Sequence, residues 1–263
     1  MATERLPKVA VHKFSSCDGC QLAFLNMGQD LLTLTELVDI SHFAEAGFVN
    51  EDQPVDIAFI EGSISTNKEL SRIKKIREKS SYLITIGACA TSGGIQALRN
   101  IHDADAWVEG IYANPEYIDS LATVSPVKDH VKVDFEIWGC PVSSAQIVEV
   151  VRSLLSGIVP NQNTEKVCAE CKREQNICRL VAHGEPCLGP VTKAGCGAIC
   201  PAYGRACYAC YGPSLDSNTT ALANRFQGLG MLPKDIAEKF MLFNNNAPVF
   251  KSATQLLMAN KDD

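Results

Sequence analysis

Residues 55–87 read VDIAFIEGSISTNKELSRIKKIREKSSYLITIG and hold two apolar runs separated by a charged one. The first run predicts a strand over residues 55–61 and the second a strand over residues 82–87, because both are short and rich in β-branched or aromatic residues. Between them, residues 67–79 place apolar side chains at helical spacing, with Asn67 as the candidate N-cap. A strand, a helix and a strand in succession predict parallel strands with a covering helix.

The same alternation continues on both sides of this stretch, over the first 159 residues. Further strands are predicted at residues 9–14, 34–40 and 131–138. Amphipathic helices are predicted at residues 20–32 and 143–156, the latter capped by Ser143 or Ser144. The sequence therefore predicts an α/β fold with a mainly parallel, doubly wound sheet.

The composition is that of a globular protein, with 46% hydrophobic and 21% charged residues. The net charge of -6 argues against a nucleic-acid partner, which requires a basic face. No run of 18 apolar residues predicts a membrane span. The first residues, MATERLPKVAVHKF, contain neither a signal-like apolar run nor a twin-arginine pair. We therefore expect a cytoplasmic protein, in which the twelve cysteines bind metal more readily than they form disulfides.

Four of the cysteines follow predicted strands: Cys17 and Cys20 the first, Cys89 the fourth and Cys140 the fifth. Because the carboxyl ends of parallel strands share one edge of a sheet, we expect these sulfurs to converge there. Four thiolates hold either a zinc ion or a [4Fe–4S] cluster, and spacing alone does not separate the two. Glu61 ends another strand and is a candidate proton relay at this edge; the alternative is a helix-capping or surface glutamate.

The other eight cysteines lie within residues 160–213, a segment rich in Gly and Pro with no apolar face long enough to form a core. We expect metal to organise it. The eight form two sets, spaced Cys168-x2-Cys171-x6-Cys178-x8-Cys187 and Cys196-x3-Cys200-x6-Cys207-x2-Cys210. Each set contains a C-x2-C pair, as ferredoxin-type segments do; zinc ribbons are the alternative, and exchange of ligands between the sets stays open. Three helices are predicted to follow, at residues 216–229, 233–243 and 248–259.

The motifs of nucleotide chemistry are missing from the sequence. It has neither G-x-G-x-x-G nor G-x-x-x-x-G-K-[ST], and no nucleophile is paired with a base. Three four-cysteine sites without catalytic machinery favour a chain that conducts electrons to chemistry performed elsewhere.

Five motifs in this order resemble those of one family. They are SSCDGCQLAF (15–24), FIEGSIST (59–66), IGACATSGG (86–94), EIWGCPVS (136–143) and EPCLGPVTKAGCGAICP (185–201). They resemble the small subunit of cytoplasmic [NiFe] hydrogenases, with the delta subunit of the NADP-linked bifunctional sulfhydrogenases as the nearest subtype. The resemblance covers nearly the whole chain.

This resemblance implies a flavodoxin-like domain over residues 1–159 and a smaller iron–sulfur domain with C-terminal helices over residues 160–263. It implies three [4Fe–4S] clusters: a proximal one held by Cys17, Cys20, Cys89 and Cys140, a medial one held by Cys196, Cys200, Cys207 and Cys210, and a distal one held by Cys168, Cys171, Cys178 and Cys187. No zinc is expected.

The resemblance also implies the partners and the direction of the electron path. Electrons would pass between the Ni–Fe centre of a large subunit and a diaphorase or ferredoxin-like partner that exchanges them with NAD or NADP. Glu61 matches a glutamate discussed for proton transfer. Cys168 replaces a histidine of exported relatives, and Cys200 replaces a proline found in many of them, which implies a four-iron medial cluster.

Three other interpretations are open. A methanogen-type hydrogenase small subunit, serving deazaflavin or heterodisulfide reduction, shares the three-cluster layout. A scaffold stabilised by zinc or by purely structural clusters belongs to a different class of function. The related quinone-reducing subunit of respiratory complex I has an adjacent Cys-Cys pair and lacks the cysteine-rich extension, so this sequence departs from it.

Overall fold

The computed structural model describes residues 5–259, and these form two compact units. The first contains residues 5–137 and 141–161; the second contains residues 138–140 and 162–259. The predicted domain boundary between residues 159 and 160 stays a prediction, because a domain must also fold alone.

The first unit is built on a five-stranded sheet in which every strand pairs parallel to its neighbours. Its strands are β1 Lys8–Lys13, β2 Asp39–Phe43, β3 Val55–Glu61, β4 Ser80–Ile86 and β5 Phe135–Ile137. They lie in the order β2-β1-β3-β4-β5. This is the flavodoxin-like order of a doubly wound sheet, so the predicted fold class is confirmed.

Helices cover both faces of this sheet. They are α1 Gly19–Leu25, α2 Gln29–Leu37, α3 Asn67–Lys79, α4 Gly87–Ser92, α5 Ala104–Ile111 and α6 Ser144–Leu155. One apolar core joins the sheet to Phe24 of α1, Leu34 of α2 and Ile147 of α6. A second core joins the other face to Ile73 of α3 and Ala90 of α4. Each strand therefore alternates side chains between two buried layers.

The central helix begins one residue away from the predicted cap. Thr66, not Asn67, is the N-cap of α3, and its side chain accepts a hydrogen bond from the Glu69 N–H at 3.1 Å. The Glu69 carboxylate accepts in return from the Thr66 N–H at 3.0 Å. This reciprocal capping box satisfies two N–H groups that a lone asparagine would leave open.

Two predictions in the first 43 residues are wrong in detail. The helix predicted at residues 20–32 is two helices, α1 and α2, because Gly28 adopts a left-handed φ of 59° between them. The strand predicted at residues 34–40 lies later, at Asp39–Phe43, because residues 34–37 end α2. Leu34 is buried as a helical residue, and its short apolar run did not distinguish helix from strand.

The second unit consists of short helices around the cysteines and longer ones after them. Its helices are α7 Val167–Arg173, α8 Arg179–Ala182, α9 Ile199–Ala202, α10 Thr219–Gln227, α11 Pro233–Asn244 and α12 Pro248–Ala259. The three predicted C-terminal helices are confirmed, with Pro233 at the first turn of α11. Within residues 5–259, no helix is both long and apolar enough to cross a lipid bilayer.

Candidate metal centres

Three of the four strand-end cysteines lie in the first unit, at the carboxyl edge of its sheet. Cys17 precedes α1, and Cys20 is the second residue of that helix. Cys89 lies in α4, which begins directly after β4. Since β1 and β4 run parallel on either side of β3, both loops open at the same edge.

Gln96 links these two loops, and the sequence analysis missed it. Its side-chain N–H donates to the Ser15 carbonyl oxygen at 2.8 Å, and its carbonyl oxygen accepts from the Cys89 thiol at 3.3 Å. The residue therefore joins the segment before Cys17 to Cys89. No local pattern in GGIQAL indicates this role, because the contact spans 81 positions.

The backbone comes close to these sulfurs at a glycine. A Cβ atom at Gly94 would lie 2.5 Å from the Cys89 sulfur, and Gly94 has a left-handed φ of 64°. Both features exclude a larger residue there. A Cβ atom at Gly19 would lie 3.4 Å from the Cys17 sulfur and 3.7 Å from the Cβ of Pro141, the residue after Cys140.

Glu61 is buried at this edge, with 2% of its surface exposed, so the surface alternative is wrong. One carboxylate oxygen accepts from the Cys20 N–H at 2.8 Å, and the other accepts from the Gln21 side-chain amide at 2.8 Å. The first contact satisfies a free N–H in the opening turn of α1, as a helix cap does. Burial raises the pKa of the Glu61 carboxyl group, and these two hydrogen bonds oppose the rise.

Cys140 belongs to the second unit and contacts a cysteine of the C-terminal segment. The Cys140 N–H donates a hydrogen bond to the Cys210 sulfur. Burial raises the pKa of the Cys210 thiol to about 12, and the nearby thiols of Cys196, Cys140 and Cys200 contribute to the rise. Cys210 therefore lies beside one cysteine of the edge set and two of its own set.

The first cysteine set of the second unit lies around α7 and Gly189. Burial raises the pKa of the Cys168 thiol, and three neighbouring thiols raise it further, to about 11. Those neighbours are Cys187, Cys171 and Cys178. A Cβ atom at Gly189 would lie 3.3 Å from the Cys168 sulfur and 3.6 Å from the Cys187 sulfur. The backbone at Gly189 thus lies directly against two sulfurs.

The second set adjoins the first at one point. The Cys207 N–H donates to the Cys187 sulfur at 3.2 Å, and burial is the main reason that the pKa of Cys207 is raised. Cys196 and Cys200 are neighbours of Cys210. The neighbours thus follow the predicted division into two sets, with Cys187 and Cys207 in contact across it; the assignment of ligands to clusters stays a prediction.

Glu170 ties the two sets together and was also missed. This residue of α7 accepts from the Gly195 N–H at 2.8 Å, and its other oxygen accepts from the Cys196 thiol at 3.8 Å. Thr192 is buried and accepts from the Cys207 thiol at 3.7 Å. Neither residue stands out in sequence, because both lie among common polar residues.

The chemistry of these residues fits iron–sulfur clusters. The donors are thiols throughout, none of the twelve cysteines forms a disulfide, and all twelve lie within residues 5–259. Thiolates are the ligands of [4Fe–4S] clusters, and the glycine backbone against the Cys89, Cys168 and Cys187 sulfurs leaves space free of side chains. No group of three or more His, Cys, Asp or Glu side chains in the described residues is arranged around a single metal ion.

Comparison with known proteins identifies the class. Residues 17–154 match the family described as NADH ubiquinone oxidoreductase, 20 Kd subunit. The chain is 36% identical over 237 residues to the sulfhydrogenase 2 subunit delta of Pyrococcus furiosus, which covers 90% of this chain and 98% of that protein. It is 32% identical over 270 residues to a chain of the F420-non-reducing hydrogenase vhu of Methanocaldococcus jannaschii, covering 90% of this chain and 93% of that protein.

A solved structure agrees with these relatives. The crystal structure of an NAD+-reducing [NiFe]-hydrogenase in the H2-reduced state matches with a TM-score of 0.55 at 25% identity, over 60% of this chain and 95% of that chain. The chain is thus an oxidoreductase subunit. It belongs to the NADH ubiquinone oxidoreductase 20 Kd subunit family and, within it, to the small subunits of [NiFe] hydrogenases. The resemblance drawn from the five motifs is confirmed.

Proposed function

We propose that this chain is the electron-transfer subunit of its hydrogenase. Electrons would pass through three [4Fe–4S] clusters, between the Ni–Fe centre of the large subunit and a diaphorase or ferredoxin-like partner that reduces NAD or NADP. The observation that carries the proposal is the arrangement of the second unit. There, eight cysteines gather in two adjoining sets, and the Cys140 N–H donates to the Cys210 sulfur. Sites in such contact suit electron transfer, which needs short gaps.

The ligand sets follow the prediction. The proximal set is Cys17, Cys20, Cys89 and Cys140, the medial set is Cys196, Cys200, Cys207 and Cys210, and the distal set is Cys168, Cys171, Cys178 and Cys187. The clusters would supply the one-electron chemistry when bound. The chain's own part is to hold the sulfurs and keep water from them: Cys20, Cys187 and Cys207 are buried, and backbone N–H groups donate to the Cys187 and Cys210 sulfurs. Such hydrogen bonds favour the reduced form.

The names of the relatives support a nicotinamide acceptor. One matched structure is an NAD+-reducing hydrogenase, and one relative is a sulfhydrogenase delta subunit. The methanogen-type alternative is favoured by a different observation, the match of the F420-non-reducing hydrogenase chain to 90% of this one. H2-dependent reduction assays of the purified complex with NADP, NAD and F420 separate the two. The cytoplasmic location stays a prediction of the sequence.

A cysteine variant tests the relay. Cys140→Ser is expected to impair the proximal set and to abolish H2-dependent reduction of NAD or NADP, because this residue also contacts Cys210. Ser16→Ala, which changes a hydroxyl beside Cys17, is the matched control and should keep full activity. Unchanged nucleotide reduction in Cys140→Ser would refute the assignment of this cysteine.

For Glu61 we keep the proton-relay role as part of the proposal. Its support is a buried carboxylate within hydrogen-bond distance of the Cys20 N–H. Glu61→Gln preserves shape and is expected to slow H2 turnover at least tenfold while the iron content stays unchanged. Glu69→Gln, a partly buried carboxylate in the capping box of α3, is the control and should keep normal turnover. Loss of iron in Glu61→Gln would mean that the residue only caps α1 and holds Cys20.

A further inference from the structure

Helix α5 and the segment after it leave large apolar side chains in solvent. The exposed fraction is 59% for Trp107, 68% for Ile111, 49% for Tyr112 and 80% for Tyr117. Within the described part of the chain, no residue of α5 is buried. We call these four side chains the α5 patch.

The sequence of α5 is that of a helix with a packing partner. Trp107 and Ile111 lie one turn apart on one side, and Asp105 and Glu109 lie one turn apart on another side. A helix with this pattern normally buries its apolar side. An apolar side that stays exposed, rimmed by charged residues, is typical of a binding surface.

The segments on either side of the patch are fixed to the sheet. Asn100 and Val124 exchange two hydrogen bonds, at 2.7 and 2.8 Å, and the Arg99 guanidinium donates to the Leu121 carbonyl oxygen. The Leu121 N–H donates in turn to the Ser65 carbonyl oxygen at 2.7 Å, next to the end of β3. A patch anchored at both ends costs little further ordering when it binds.

The anchoring places the base of this segment at the carboxyl edge of the sheet. Gln96, which precedes the segment, contacts both the Cys89 thiol and the Ser15 carbonyl oxygen. The patch therefore extends from the same edge of the first unit that carries Cys17, Cys20 and Cys89.

The charge of the segment restricts its partner. Residues 100–127 contain five acidic residues and no Lys or Arg. The acidic residues are Asp103, Asp105, Glu109, Glu116 and Asp119. A second copy of this chain docked symmetrically by the same patch would bring like charges together. The complementary surface is an apolar groove with a basic rim.

We propose that the α5 patch docks the nickel-containing large subunit, whose matching surface is an apolar groove rimmed by Lys and Arg. This inference rests on the proposed function, in which the edge with Cys17, Cys20 and Cys89 faces the Ni–Fe centre. Trp107 is the central anchor, since exposed aromatic residues contribute most to such interfaces. The acidic residues steer the approach of the basic partner.

The test uses the whole hydrogenase, purified through an affinity tag on this chain and washed at low and at high salt. Trp107→Asp is expected to lower the nickel retained per chain at least tenfold, with unchanged iron and sulfide in this chain. Tyr117→Asp should give a similar loss from outside the helix. Tyr82→Asp is the matched control, because Tyr82 of β4 is an aromatic residue with 50% of its surface exposed; it should retain nickel as the parent does. Glu109→Lys should slow reassociation of the separated subunits and reduce the dependence of that rate on salt.

Each alternative outcome contradicts a different statement. Full nickel retention in both Trp107→Asp and Tyr117→Asp would overturn the α5 patch as the docking surface and leave the proposed function intact. A parent chain that brings down no nickel-containing subunit at all would refute the proposed function, and this inference with it. If the isolated chain sediments as a dimer that Trp107→Asp dissociates, the occupant is a second copy and the proposal is wrong.

Discussion

The two units of this chain obtain their cores from different residues. In the first, aliphatic and aromatic side chains fill both faces of the sheet, with Phe59, Ile60 and Ile84 fully buried. In the cysteine-rich segment of the second, the buried cluster consists of Val167, Cys187, Ala198 and Cys207, with Cys171 and Cys196 packed against it. Half of that small core is therefore cysteine. We infer that the first unit is held by apolar burial and this segment by metal.

The largest expected effect comes from removing the metal. Anaerobic treatment with an iron chelator should speed amide hydrogen exchange in residues 166–212 by about a thousandfold or more, equivalent to about 4 kcal/mol. Residues 55–61 and 80–86 should stay protected, because β3 and β4 depend on packing alone. Chelator saturated with iron beforehand serves as the control. Protection that persists in residues 166–212 would show that the segment has a sufficient core of its own.

The converse change weakens the first unit without touching the cysteines. Phe59 is fully buried and meets the Phe24 ring edge-to-face at 5.2 Å, so Phe59→Ala should cost about 3–5 kcal/mol. Denaturant unfolding followed by exchange in β3 and β4 measures the loss. Tyr82→Ala removes a half-exposed ring and should cost less than about 1 kcal/mol. An equally small loss for Phe59→Ala would contradict a core held by packing.

A smaller effect is expected from pH, and only in the first unit. His12 of β1 is buried and stacks on His42 at 4.6 Å, with Arg72 and Glu51 beside the pair. Burial first, and then the charges of His42 and Arg72, lower the pKa of His12 to about 3. The unfolded chain therefore binds a proton below about pH 6.5 that the folded chain binds only near pH 3, so stability falls as the pH falls through this window.

Between pH 7 and pH 5 this difference amounts to about 2 kcal/mol, at about 1.36 kcal/mol per pKa unit. His12→Gln cannot take up the proton and should flatten the pH dependence of exchange protection in β3 by that amount. His102→Gln, an exposed histidine of the same unit, should leave the slope unchanged. Identical slopes in the parent and His12→Gln would show that His12 is protonated in the folded state.

The sequence predicted the central part of the sheet well, for a physical reason. Residues 55–61 and 67–79 show uninterrupted strand and helix periodicities, and the structure places elements at those bounds. The prediction failed where one run suits two structures, as at Leu34, and where a single glycine breaks a helix, as at Gly28. Helix α5 was not predicted either, because its apolar side has no core to match.

The site divides in the same way. Cysteine spacing and strand ends were sufficient to single out all twelve candidate ligands, because metal chemistry restricts residue type and separation. Gln96 and Glu170 were beyond reach, since their contacts join segments 81 and 25 positions apart. Such contacts depend on the tertiary fold and leave no local pattern. The helix-capping geometry of Glu61 likewise needed the position of α1 next to β3.

The central claim is that the cysteines of this chain hold three iron–sulfur clusters. Iron and acid-labile sulfide per chain, measured with zinc in the same assay on anaerobically purified protein, test it most directly. We predict about twelve iron and about twelve sulfide, from three four-iron clusters with four cysteine ligands each. Zinc with little sulfide would contradict this claim and leave a metal-stabilised binding scaffold.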